Sequence, residues 1–153
     1  MKRLYNYLLI IILISMASCR WGLDELPVFD EANITSINFE TRWVDPQTNS
    51  FRVQQLTVTN LAIDPTENTI EFKLVVPAQS STFPSDVRSQ VALNKLVMIC
   101  NISNAATIKP IGTTPVPGTI GDFSQSNLNY EVIAADGKTK KEWTIKILEF
   151  IKQ

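Results

Sequence analysis

The most reactive side chains of this sequence are its two cysteines, Cys19 and Cys100, because the chain contains no histidine. Without an imidazole it cannot build a Ser-His-Asp or Cys-His triad or hold a His-ligated metal ion. Its 15 acidic residues supply many carboxylate pairs of the kind used in glycoside hydrolysis, but none has a distinctive context. Nucleophile-elbow, Walker and GxGxxG motifs are also absent. The sequence predicts no catalytic residue, no cofactor and no metal site.

The composition is that of a folded chain without a nucleic-acid partner. Of 153 residues, 44% are hydrophobic and 19% are charged, and the formal net charge is −1 at pH 7. Such values are typical of one globular domain rather than of a disordered chain. Nucleic-acid binding needs a positive surface, and this sequence has no basic block. We therefore expect one folded domain and no nucleic-acid binding.

Residues 1–18 have the order of a secretory signal peptide. Lys2 and Arg3 form a short positive start, and residues 8–14 form an unbroken apolar run. That run is far shorter than the roughly 20 residues that a membrane-spanning helix needs. Small residues then lead to Cys19. The pattern predicts export of the mature chain.

The step from Ala17-Ser18 into Cys19 resembles the lipobox of bacterial lipoproteins, although Met16 stands where leucine is usual. The resemblance implies that the Cys19 thiol is lipidated and becomes the mature N-terminus. Because two or more acyl chains anchor a protein stably, Cys19 would hold the chain at a membrane. The alternative is an ordinary signal peptide with an incidental cysteine.

Lipidation of Cys19 would leave Cys100 as the remaining thiol, within an apolar run. A cysteine in such a run is most often a small buried hydrophobe, whereas a catalytic thiolate requires cationic neighbours. Residues 19–32 are acidic and include Pro27, and we interpret them as the lipidated cysteine and a tether. The acidic residues of the tether are either a solvated linker or part of a surface-export signal. The folded domain would then cover residues 33–153.

Downstream of Ile34, hydrophobic residues alternate with others at the period of half-buried β-strands. The clearest inward positions are Ile37, Phe39, Thr41, Trp43, Ile70, Phe72, Leu74 and Val76. Two D-P-x-x-N segments, Asp45–Asn49 and Asp64–Asn68, favour turns. Val91–Ile99 fits either a buried strand or part of a short helix. About six or seven short strands without a long amphipathic helix predict an all-β sandwich, with an antiparallel barrel as the alternative.

The clearest hairpin lies at the C-terminal end, around Asp136-Gly137. One register places Val132 opposite Trp143 and leaves a four-residue loop, Asp136–Thr139. A two-residue Asp-Gly turn would instead place Val132 opposite Lys141. We predict the first register because it keeps one face apolar throughout.

This C-terminal sequence is similar to the closing hairpin of Ig-like domains in surface lipoproteins of the Bacteroidota, many of them known only as domains of unknown function. The matching segments are Asp122–Ser124, Tyr130–Gly137 and Trp143–Ile147. The resemblance implies an Ig-like antiparallel β-sandwich of about seven strands that is displayed on the outer membrane. It provides no catalytic or binding motif.

The aromatic residues supply the remaining candidates for a binding site. Trp43 and Trp143 fall on the apolar side of their strands, so we expect both in the core. Trp21 lies in the tether, where an amphipathic indole suits a membrane interface. Phe51 and Phe123 flank loops and are, with Trp21, the candidates for an exposed ligand platform.

The leading hypothesis is a non-enzymatic surface lipoprotein whose domain contacts a partner protein in an outer-membrane assembly. The second is a glycan-binding accessory lipoprotein of a polysaccharide-utilisation or adhesion system, which requires exposed aromatic residues. The third is a small hydrolase, which requires two carboxylates facing each other across a cleft.

Overall fold

A computed structural model describes residues 28–152, which form a sandwich of two β-sheets. The strands are β1 (Ile34–Val44), β2 (Phe51–Gln55), β3 (Thr57–Asp64), β4 (Thr69–Val76), β5 (Leu96–Ile102), β6 (Thr107–Pro110), β7 (Ile120–Gly121), β8 (Leu128–Ile133) and β9 (Lys140–Lys152). Between β4 and β5 lie a short helix, α1 (Ser85–Gln90), and a 3-10 turn (Leu93–Lys95). The predicted all-β sandwich is confirmed, with nine strands in the described range instead of about seven.

Several predictions fall on residues outside the described range. They are the signal peptide, the lipidation site Cys19, Trp21 and most of the tether. Within residues 28–152, no helix has the length and apolar character needed to cross a membrane.

The two sheets differ in strand order. Sheet A has the order β2-β1-β5-β7, and sheet B has the order β3-β4-β9-β8-β6. The strand pairs are antiparallel, as predicted, apart from β4 and β9, which run parallel. Parallel neighbours require a long connection, and here the chain passes through sheet A between these two strands.

Aromatic rings join the two sheets in the core. Phe39 of β1 lies 5.5 Å from Phe72 of β4, measured between ring centroids, and 5.2 Å from Phe123, which meets it edge-on. All three side chains are fully buried. The predicted alternation in β4 is also observed, because every second residue from Ile70 to Val76 is buried. The inward-facing side chains of both sheets therefore form one hydrophobic core.

The predicted register of the C-terminal hairpin is wrong. The structure places Tyr130 opposite Trp143 and Val132 opposite Lys141, which is the alternative register. The N–H of Ala134 donates to the carbonyl of Thr139 (2.9 Å), so residues 135–138 form the loop. The two registers differ by two residues and keep the same side chains facing the core, so alternation cannot distinguish them.

Lys141 is accommodated at the inward-facing position because this position lies at the end of the sheet. Its Nζ donates a hydrogen bond to Oδ1 of Asn33 at 2.8 Å. Next to it, the buried Trp143 donates from Nε1 to the carbonyl of Ala32 (3.0 Å). Both side chains thus connect β9 to the segment that leads into β1.

The two D-P-x-x-N segments form turns of the same design, as predicted. Oδ1 of Asp45 accepts the N–H of Gln47 at 2.9 Å, and Oδ1 of Asp64 accepts the N–H of Thr66 at 2.8 Å. The asparagines that close the turns, Asn49 and Asn68, have φ angles of 52° and 53°. Asparagine tolerates this left-handed conformation better than most residues.

Candidate binding surface

The structure separates the aromatic residues predicted to form a ligand platform. Phe51 is 65% exposed at the start of β2, whereas Phe123 is 0% exposed. The expectation that Phe123 is exposed is wrong because its ring packs edge-on against Phe39 in the core. Of the two predicted platform residues in the described range, Phe51 is exposed to solvent and Phe123 is not.

Phe51 belongs to a larger apolar surface, the outward side of sheet A. Residues paired across antiparallel strands project on the same side of a sheet. The pairing places Val44 beside Phe51, Arg42 beside Val53, Glu40 beside Val97, Asn38 beside Ile99, and Val97 beside Ile120. Five of these hydrophobic side chains are exposed, namely Val44, Phe51, Val53, Ile99 and Ile120. We call this set the outer face of sheet A.

Glu40 and Arg42 form an ion pair on the outward side of β1, so their opposite charges cancel. Nε of Arg42 donates to Oε1 of Glu40, and Nη1 donates to the carbonyl of Gly118 at 3.2 Å. Glu40 is buried, and so is its neighbour Val97, which lies outside the main core cluster. Because the pair is neutral as a whole, the centre of the outer face carries polar side chains but no net charge.

A second feature lies where β1 ends, at the open end of the sandwich. Two neighbouring clefts of about 230 Å³ and 350 Å³ share Trp43, Pro46, Asp86 and Val87. The smaller cleft extends toward the Asp45 turn, and the larger one follows β1 toward α1. We call them the smaller and the larger Trp43 cleft.

Trp43 is only half-buried, although the sequence predicts it in the core. Its ring lies 5.8 Å from the buried ring of Phe83, measured between centroids, while the indole also lines both clefts. Its position on the inward side of β1 was predicted correctly. Its partial exposure could have been expected from its position, because Trp43 is the penultimate residue of β1 and lies at the edge of the core.

Two carboxylates line the smaller cleft, those of Asp45 and Asp86. The N–H of Gln47 donates to Asp45 and holds the pKa of that carboxyl below its ordinary value. Nη2 of Arg52 lies 3.6 Å from Oδ2 of Asp45 and also favours the ionised form. A glycosidase pair needs one carboxyl with a raised pKa as general acid, and Asp45 has the opposite shift.

Cys100 is only partly buried, where the sequence predicts a small buried hydrophobe, and it packs against the core. Burial raises the pKa of its thiol, which disfavours the thiolate. No group of three His, Cys, Asp or Glu side chains within the described range could hold a metal ion.

Comparisons with known proteins identify relatives of this chain. The model of the DUF5018-related family matches residues 34–146. The crystal structure of a candidate secreted protein of Bacteroides fragilis is 30% identical, with a TM-score of 0.72, and the match covers 82% of this chain and 100% of that one. A candidate glycoside hydrolase of Bacteroides thetaiotaomicron is 21% identical, with a TM-score of 0.43, over 84% of this chain and 27% of that one; this likeness is too weak to indicate function. A search of the curated proteins finds no match.

The match to a candidate secreted protein agrees with the export predicted from residues 1–18. The family match spans β1 through most of β9, so it includes the outer face of sheet A and both Trp43 clefts. With its sandwich fold and this family match, the chain belongs to the DUF5018-related family.

Proposed function

We propose that this protein is a non-enzymatic contact module of the cell envelope, anchored through lipidated Cys19. The domain binds a partner protein through the outer face of sheet A. The proposal rests on one observation: exposed hydrophobic side chains of four neighbouring strands share this side of the sheet.

The apolar character of the outer face supports a protein partner. Soluble proteins seldom expose large contiguous apolar patches, and such patches often mark interaction sites. The Glu40–Arg42 pair leaves the centre of the face neutral, so a partner gains no long-range electrostatic attraction there. The surface therefore suits an uncharged, apolar partner patch.

The protonation states of Asp45 in the smaller cleft and of Cys100 within the sandwich support a role without catalysis. Asp45 is held in its ionised form, and burial keeps the Cys100 thiol protonated. Neither group has the activation that general acid or nucleophilic catalysis requires.

The test is a pull-down of cross-linked partners from envelopes that contain the full chain. We expect Phe51→Ser combined with Ile120→Ser to abolish recovery of a partner that wild type captures, because both changes place hydroxyls on the outer face. The matched control is Leu61→Ser with Leu148→Ser, since both leucines are exposed but belong to sheet B. Equal recovery by both double variants would contradict the proposal.

Glycan binding is a second candidate function, favoured by the half-buried indole of Trp43. The apolar face of a sugar packs on such a ring, and polar side chains nearby can bond its hydroxyls. Gln47, Arg52 and Asp86 line the same cleft and supply donors and acceptors. This candidate predicts that Trp43→Ala abolishes oligosaccharide binding in calorimetric titrations, whereas Phe51→Ala leaves it intact. Binding that persists in Trp43→Ala would dispose of it.

A further inference from the structure

The last residues of β1, Arg42–Val44, pair with β2 along one edge of the strand but not with β5 along the other. The N–H of Leu56 donates to the carbonyl of Phe39 (2.8 Å), and the N–H of Asp45 donates to the carbonyl of Ser50 (2.9 Å). These bonds show that odd-numbered residues of β1 direct their backbone polar groups toward β2. Since the direction alternates along a strand, Arg42 and Val44 direct theirs toward the opposite edge.

That opposite edge is paired with β5 only as far as Glu40, which lies opposite Val97. Beyond this point the chain of β5 departs into the 3-10 turn Leu93–Lys95. Among the strands of residues 28–152, none pairs with Arg42 or Val44 on this side. The edge therefore offers backbone donors and acceptors at strand spacing.

The larger Trp43 cleft follows this open edge. Residues 41–44 line it together with Gln90, Val91 and Lys95. The cleft has a volume of about 350 Å³. A ligand that satisfies the edge must present alternating N–H and C=O groups in an extended line, which is the chemistry of a polypeptide strand.

We infer that the open edge at Arg42–Val44 binds an extended peptide segment of a partner, which adds a strand to sheet A in line with β5. The inference rests on the proposed function and specifies the partner segment. Added residues opposite Arg42 and Val44 project onto the outer face, and those between them project toward Trp43 and Val91. The segment should therefore carry an apolar side chain at the inward position.

The experiment selects short peptides from a displayed random library on the detergent-solubilised full chain and measures their affinity for three variants. Val44→Pro removes the N–H that faces the cleft and leaves the bonds to β2 intact. We expect it to weaken binding about tenfold relative to Val44→Ala, the effect of one lost hydrogen bond. Val44→Ala is the reference because it also loses the valine side chain from the outer face but keeps the N–H.

Gln55→Pro is the second control, because Gln55 lies outside the named outer-face set and directs its backbone toward the free edge of β2. It should leave peptide affinity unchanged. Amide hydrogen exchange at Arg42 and Val44 should slow when a selected peptide is bound. Every second peptide residue can be N-methylated in two ways, at the odd or at the even positions. Only the pattern that removes the N–H groups facing β1 should abolish binding.

Three results would overturn the inference. They are equal affinity for Val44→Ala and Val44→Pro, hydrogen-exchange protection elsewhere than at Arg42 and Val44, and binding of oligosaccharides but of no peptide. If Val44→Pro fails to fold, the N-methylated peptides decide the question on the wild-type chain. A partner lost from the Phe51→Ser, Ile120→Ser variant but retained by Val44→Pro would leave the proposed function standing and remove only the strand addition.

Discussion

At the residue scale, the Tyr130 hydroxyl fixes the loop that follows β6. The side chain is fully buried, and its hydroxyl donates to the carbonyl of Pro115 at 2.8 Å. Burial raises the pKa of Tyr130, so the phenol stays neutral and remains a donor. In the same loop, Oγ1 of Thr114 accepts the N–H of Asn129 (3.1 Å). The loop is thereby held against β8.

Tyr130→Phe should lower the free energy of unfolding by about 1 kcal/mol, because it removes this donor and keeps the ring. Urea denaturation measures the change, and amide exchange in residues 113–119 should become faster. An unchanged free energy of unfolding would show that water replaces the hydroxyl without cost.

Asp136 makes stability depend on pH. Hydrogen bonds from the hydroxyl and the N–H of Thr139 hold its pKa below the ordinary value of 3.8. The ionised carboxylate therefore stabilises the folded state above pH 3.8, and this contribution disappears as the pH falls through the folded-state pKa.

We expect Asp136→Ala to be less stable than wild type at neutral pH, with a difference that narrows below pH 3.8. Urea titrations across that range measure it. Asp136→Asn keeps an oxygen acceptor but cannot titrate, so its stability should vary less with acid. A difference between wild type and Asp136→Ala that is independent of pH would contradict this assignment.

The candidate site shows what residue type alone can reveal. Phe51 and Phe123 both flank loops, so sequence position alone gives the same prediction for both residues. One faces solvent and the other completes the core, because the direction of a loop side chain depends on contacts distant in sequence. Trp43 was placed on the correct side of its strand, but its partial exposure depends on where the opposite sheet ends.

At the element scale, β1 links the two sheets through Phe39. Phe39→Ala should destabilise the fold by about 3–5 kcal/mol, since it leaves a cavity beside Phe72 and Phe123. Phe51→Ala, at an exposed position, should change stability by no more than about 0.5 kcal/mol. Chemical denaturation of both variants tests the contrast, and similar losses would contradict the placement of Phe39 as the link between sheets.

Local patterns predicted most strands but not how they pair. Alternation identified β1 and β4, and Asp-Pro segments identified two turns. Residues 51–58 are rich in β-prone side chains, but the buried Leu56 separates them into β2 and β3, which belong to different sheets. The parallel pairing of β4 with β9 is equally invisible in local sequence, because about 75 residues separate the paired positions. Pairing of this kind is decided by packing of the complete core.

At the scale of the whole molecule, the anchor remains a prediction. Cys19→Ala should move the protein from the membrane fraction to the soluble fraction, because the predicted acyl chains on this cysteine would supply the attachment. Cys100→Ala is the matched control and should remain with membranes, since Cys100 lies within the sandwich. Unchanged sedimentation of Cys19→Ala would show that the protein is held by something other than this thiol.

The length of β1 determines how such an anchored domain meets its surroundings. The segment that leads into this strand lies beside the β8–β9 loop, where the N–H of Asp136 donates to the carbonyl of Phe29 (3.2 Å), and the strand's 11 residues end at the Trp43 clefts. Eleven residues of strand span about 33 Å. An attachment upstream of residue 28 would hold the Phe29 end toward the bilayer and raise Arg42–Val44 to the distal tip. A partner would then approach from the aqueous side, at a height above the lipid headgroups set by the length of the strand together with that of the tether.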